Sequence, residues 1–278
     1  MTFLDEPHRP RRAPPGEPPR VAGKRGMLPY RPNSILFKFG DYLVPEQLPN
    51  LPAAFGHIRS QPPGGWGIDA NDSAGCCVIA GFNHETIVYA IATRRPIPKF
   101  TDHSTLADYS RALVAGGGAP YDPRDPSTDS GLDILAASDW RRKVGLTDAD
   151  GTVHKSLAYT EVDTPSGLLY AARLFGAGGV GLALPSNAEQ KFEDGVPWNA
   201  DGSPEDGHYV PIIGRNSHGN FVCVTWGCLQ AITPDAVRKF MIVGVATFSE
   251  EYLLATGLSP EAINRDRLFA DLNALTRR

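Results

Sequence analysis

The sequence predicts an α+β fold: one two-lobed unit behind an extended N-terminal arm. Three observations carry this. Helical patterns dominate between residues 77 and 143 and strand patterns dominate from 154 onward, the order of a fold in which helices and sheet segregate. Hydrophobic residues make up 41% of the 278, enough for a sizeable core in one large or two small domains. Glycine (29) and proline (25) are together too frequent for a helical bundle or coiled coil.

The arm comes first. Eight prolines fall between Pro7 and Pro32, and each removes a donor and fixes φ, so no helix or sheet interior forms there. Residues 1–40 also hold eight basic and three acidic residues. That is +5 within a net charge of −4, which leaves −9 for the rest. We therefore divide the chain into a Pro-rich basic arm, residues 1–34, and a domain, residues 35–278. The acidic balance argues against general nucleic-acid binding. No apolar run approaches the roughly 18 residues that span a bilayer. The N-terminus lacks a signal-type apolar stretch, so no membrane partner is expected and the setting reads as cytoplasmic or particle-associated.

The elements follow in order. Residues 35–39 look like a short strand, and 45–68 form a Pro/Gly-rich loop ending in Gly64-Gly65-Trp66-Gly67. A helix is expected over 77–93, behind the turn and cap residues of Asn71-Asp72-Ser73-Ala74-Gly75. A second helix runs over 104–115 with Ser104 as N-cap. A loop spans 116–130, and a third helix spans 132–143, with Gly145 just beyond its end. A strand is expected over 154–162 and a helix over 165–175, with Pro165 in its first turn. A strand follows at 180–184, then a polar loop at 185–206. Strands at 208–214 and 221–226 flank a hairpin connection. A helix at 233–241, a strand at 243–248 and a helix at 259–277 complete the chain.

The chemistry centres on Cys77 and His208. Cys76-Cys77 sits at a loop-to-helix boundary, where the partial positive charge of a helix N-terminus stabilises a thiolate. Adjacent cysteines pair poorly, and the spacing to Cys223 and Cys228 offers no zinc motif, so no metal or other cofactor is expected. Asp122, Asp125 and Asp129 are calcium-like in composition, but their spacing does not match an EF-hand loop and prolines interrupt it. His208 follows Gly207 at the start of an apolar strand, where a sheet holds an imidazole rigidly.

These residues resemble the papain-like cysteine peptidases. Asn71 falls six positions before Cys77, where the family carries a glutamine, and Gly75 falls two before it. Ser130-Gly131 resembles the loop that edges the substrate cleft, Gly207-His208 the histidine motif, and Val224-Thr225-Trp226-Gly227 the Asn-Ser-Trp-Gly motif. The resemblance covers about residues 60–250. It implies a papain-like fold with an N-terminal helical lobe and a C-terminal antiparallel sheet lobe. It also implies a Cys77 nucleophile, a His208 base, an Asn71 oxyanion donor, and substrate contacts at Ser130, Gly131 and Trp226. A peptide or protein would be the substrate.

One position departs from the motif. The asparagine expected two before the tryptophan is Val224, which cannot orient an imidazole, and strand alternation is expected to turn Thr225 to the opposite face. Two alternatives therefore stay open: an altered domain serving as a virion or particle assembly protein, and a cell-wall amidase or endopeptidase. The family's N-terminal propeptides cross the cleft. This arm is shorter and richer in proline, and is expected to bind a partner or neighbouring subunit instead.

Overall fold

The computed structural model describes residues 20–30, 37–249, 252, 266, 267, 270 and 271. The helical half is built around α1 (Cys77–Thr93), after a short strand β1 (Phe55–Gly56). α1 is buried on every side from Cys77 to Ala90 and forms the centre of its lobe. Arg94 closes it in the left-handed conformation at φ +56°, with its N–H on the Ala90 and Ile91 carbonyls. α2 (Asp102–Ala115) starts two residues earlier than the sequence suggests. Thr101 is the N-cap and Ser104 is its N3 partner in a reciprocal capping box. α3 (Ile134–Lys143) is capped by Asp133, which accepts from Leu135 and Ala136, and ends in Arg141-Arg142-Lys143, as the helix dipole favours.

The second half is an antiparallel sheet with helices on its face. A small ribbon, β2 (Leu146–Thr147) with β3 (Val153–His154), precedes β4 (Ser156–Val162). Then come α4 (Pro165–Phe175), β5 (Gly178–Leu184), α5 (Ala188–Glu193), β6 (Asp206–Arg215), β7 (Phe221–Thr225), β8 (Cys228–Ile232), α6 (Pro234–Phe240) and β9 (Met241–Ser249). The strand order is β4-β9-β5-β6-β7-β8, with β1 paired to β6. Leu168, Phe175, Phe192, Val237 and Phe240 from the helices meet Val180, Val210 and Ile212 from the sheet in one core. A second core, with Ile79, Phe82, Tyr109, Leu135 and Trp140, belongs to α1–α3.

The structure corrects several sequence expectations. Residues 37–42 do not form a strand: Lys38 makes one bridge to Glu161, and Phe39–Tyr42 is a 3-10 turn. The loop at 185–206 contains α5, which buries only Ala188 and Phe192. Strand β8 was not anticipated. The expected helix at 259–277 lies largely outside the described residues, although 266, 267, 270 and 271 are helical.

The largest correction concerns the arm. Residues 1–19 and the boundary at 34/35 lie outside the described residues, but residues 20–30 are packed along the seam between the two cores. Ala22 leans on the sheet core, and Met27 is buried in the helical one. Tyr30 reaches Glu161 of β4 at 3.0 Å. The arm therefore does not keep clear of the body.

Candidate active site

The loop before α1 is held in an unusual shape. Asp69 and Ala70 are consecutive left-handed residues, at φ +55° and +57°. Neither is glycine, so each costs free energy that neighbouring bonds must offset. Asp102 accepts from the Ala70 N–H at 2.8 Å, and the buried Asn83 amide donates to Asp69 at 3.1 Å. Burial pushes the Asp69 carboxyl up to about 7. Asn71 follows, and its Nδ2 donates to the carbonyls of Ala74 at 3.1 Å and Lys24 at 3.0 Å.

Asp129 fixes the next turn. Its carboxylate accepts from the Gly75 N–H at 2.9 Å and from the Tyr109 hydroxyl at 2.9 Å. That hydroxyl in turn accepts from the Gly131 N–H at 2.9 Å. The loop carrying Ser130 and Gly131 is thereby tied to the residues that introduce Cys77. Asp122 pairs with Arg124 and Asp125 caps a 3-10 turn at Pro126–Thr128, so these carboxylates serve loop structure.

Cys77 is the first residue of α1 and is fully buried. Burial pushes its thiol up to about 11, against the backbone N–H groups of Tyr209, Gly26, Val78 and Cys77 itself. Two of these donors matter for geometry. Tyr209 is the residue after His208, and Gly26 belongs to the arm.

His208 lies near the start of β6, equally buried. Its Nε2 is 2.8 Å from the Thr225 hydroxyl, and its Nδ1 has no partner among the described residues. The Trp226 ring lies against the imidazole, with centroids 4.7 Å apart and planes 32° apart. Trp198 closes in from 6.3 Å. Burial, then the positive charge of Arg25, pulls the imidazole down to about 3. No hydrogen bond joins Cys77 to His208 among the described residues.

Thr225 faces the histidine, contrary to the alternation argument. The register pairs Ile212 with Cys223, and a bulge separates that pair from Gly214–Val222. Residues 208, 210 and 212 share one face of β6, and 223 and 225 share the same face of β7. Val224 points to the other side, into a cluster with Trp66 and Ile213. The position two before the tryptophan is thus turned away, and its neighbour takes the contact.

The arm runs directly over these groups. The Lys24 N–H donates to the Asn71 carbonyl at 2.6 Å, and Met27 N–H donates to Gly207 at 3.1 Å. Leu132 donates to Gly26 and accepts from Leu28, both at 2.9 Å. The arm is parallel to Leu132 and antiparallel to Gly207. Its glycines are steric requirements: a Cβ on Gly26 would lie 1.8 Å from the Gly75 carbonyl oxygen, and one on Gly23 would lie 2.3 Å from that of Asn71.

The structure therefore gathers Asn71, Cys77, Gly131, His208 and Trp226 around one stretch of chain. Ser130 is exposed, and the bonds to the arm come from Leu132. Thr225, Asp129, Leu132 and the arm were missed. The Gly23-x-x-Gly26 spacing inside a proline-rich segment was the one local signal for the last.

No family model and no curated protein matches this chain. Solved structures do. Xylellain, a cysteine protease from Xylella fastidiosa, superposes with a TM-score of 0.61 at 14% identity, over 82% of this chain and 97% of that one. Procathepsin B S9 from Trypanosoma congolense gives 0.50 at 12% identity, over 84% and 87% of the two chains. At these identities the likeness is one of architecture. The chain has the papain-like cysteine protease fold.

Proposed function

We propose that this chain is a papain-like thiol hydrolase acting on peptide or amide bonds, held latent by its own residues 20–30. The observation that carries the reading is His208. Its Nε2 lies 2.8 Å from the Thr225 hydroxyl and its Nδ1 has no partner among the described residues, while Cys77 stands buried as the first residue of α1.

Each residue has a role that follows from its contacts. An Nε2–H donated to Thr225 leaves Nδ1 as the basic nitrogen, and it takes the Cys77 proton. The thiolate, at the first residue of α1, attacks a carbonyl carbon to form a tetrahedral adduct. Asn71 Nδ2 and the Cys77 backbone N–H stabilise the oxyanion. Nδ1–H then protonates the leaving amine, and the acyl-enzyme is hydrolysed by water activated at the same nitrogen. Trp226 keeps solvent from the imidazole. Thr225 is a positioning residue and does not touch the reacting atoms.

The arm blocks this sequence at three points. The Lys24 carbonyl sits on Asn71 Nδ2, Gly26 packs against the backbone of Gly75 two residues before Cys77, and the buried Arg25 charge disfavours imidazolium. The test uses the full-length chain with Gly26→Val, whose side chain cannot fit against Gly75. Reaction of Cys77 with iodoacetamide, followed by peptide mapping, is expected to accelerate at least tenfold over wild type. Peptidase activity should appear and should vanish on adding Cys77→Ala. An unchanged labelling rate overturns the latency. Faster labelling with no hydrolysis of any peptide mixture overturns the hydrolase.

A further inference from the structure

Arg25 is the arm residue that straddles the site: the carbonyl before it rests on Asn71, and the glycine after it packs against Gly75, two residues before Cys77. Its side chain is 8% exposed and enters a pocket on the sheet lobe. Nη1 donates to the Leu184 carbonyl at 2.7 Å, and Nη2 donates to the Pro185 carbonyl and Glu189 Oε2, each at 2.7 Å. Leu184 ends β5 and pairs in register with Asp206, two residues before His208 on β6. The pocket therefore adjoins the histidine.

We infer that this pocket is a guanidinium-recognition subsite and that the substrates are peptides or proteins with arginine next to the bond attacked. The inference rests on the hydrolase reading above. Two consecutive main-chain carbonyls and one carboxylate converge there, all acceptors. A planar, forked cation spans three acceptors at once, whereas an ammonium is a point charge on a flexible stem. The three groups that hold the guanidinium are all acceptors, so none of them pairs with an acidic side chain. With the arm displaced, the acceptors are left facing solvent without a cation, and an incoming arginine restores each bond that Arg25 made. The arm thus presents the same side chain that the pocket selects in substrates.

The experiment uses full-length Gly23→Val/Gly26→Val, in which neither glycine contact can form. A fluorescein-labelled peptide with the sequence of residues 20–30 is bound and followed by anisotropy. Unlabelled versions with arginine, lysine or citrulline at position 25 then displace it. Arginine should compete at least tenfold better than the other two, and Glu189→Gln in the same background should shrink that gap below threefold. Equal competition by arginine and citrulline, or no saturable binding while Cys77 is reactive, overturns the inference.

Cleavage-site mapping of a tryptophan-free mixed peptide pool by mass spectrometry separates the two claims. Cuts clustered within one residue of arginine support both. Cuts without arginine bias overturn the subsite and leave the hydrolase standing. Arginine-selective binding with an unreactive Cys77 and no cuts overturns the hydrolase and leaves an arginine-binding pocket.

Discussion

His208 depends on one hydroxyl for its orientation. The Thr225 contact at 2.8 Å is the only hydrogen bond its ring makes among the described residues, and the stacked Trp226 supplies packing without a polar partner. Thr225→Val keeps the shape and leaves Nε2–H buried and unpaired, a cost of ~1–3 kcal/mol. In the arm-displaced protein, kcat/KM is expected to fall about tenfold to a hundredfold, on that same free-energy scale. The bond favours the protonated ring, so its loss should also shift the acid limb of the pH profile to lower pH. Thr225→Ser should restore both, and a merely structural role would leave the limb in place. Cys77 and His208 were legible because each sits in a local pattern: a thiol at a helix start, an imidazole after glycine at a strand start. Thr225 was not, because which of residues 224 and 225 faces the ring depends on the Ile212–Cys223 register across two strands.

At the level of elements, α1, α3 and β6 are joined beneath the site by buried charge. Arg141 donates to Glu85 at 2.5 Å and to the Thr86 hydroxyl at 3.0 Å, and stacks on the Phe82 ring at 4.8 Å. Tyr209 donates to the other Glu85 oxygen. The pair lies 3% and 1% exposed, so neither charge has water to fall back on. Arg141→Met alone should cost roughly 3–5 kcal/mol in urea unfolding, because it strands the carboxylate. Glu85→Leu/Arg141→Met should recover much of that. The sequence places 77–93 and 165–175 end to end as the structure has them, the second because Pro165 in its first turn is a local signal. The sequence does not reveal the Arg141–Glu85 pair, since nothing near 141 signals a glutamate 56 positions earlier. It also missed α5, whose two buried residues are too few to print a helical stripe.

For the whole molecule, buried titratable groups set the response to acid. His208, held down to about 3 by burial and then by Arg25, and His84, held down to about 4 by burial, bind fewer protons when folded than unfolded below pH ~6.5. Their effect is a loss of stability as pH falls from that value. Asp69, pushed up to about 7 by burial, runs the other way: its contribution is full below the usual carboxylate range and fades as pH rises through 7. Burial also holds His57 down and pushes Asp108 up, so three histidines stand against two carboxyls, and Tm should drop between pH 6.5 and 4. His208→Gln should flatten that drop, and an unaltered slope would place the linkage elsewhere.

The arm's contacts also set a timetable. Arg20 bonds to Gln230, 210 positions away in sequence, and Met27 pairs with residues on both sides of the groove. Contacts that close loops of this length form late in folding, after the local helices and hairpins. Cys77 therefore spends part of each refolding event in an uncovered groove, before its own N-terminal chain arrives. A brief thiol-reagent pulse should mark Cys77 when given early in refolding and spare it when given late. In that interval a second chain, or a free peptide as concentrated as the tethered arm effectively is, competes for the seat.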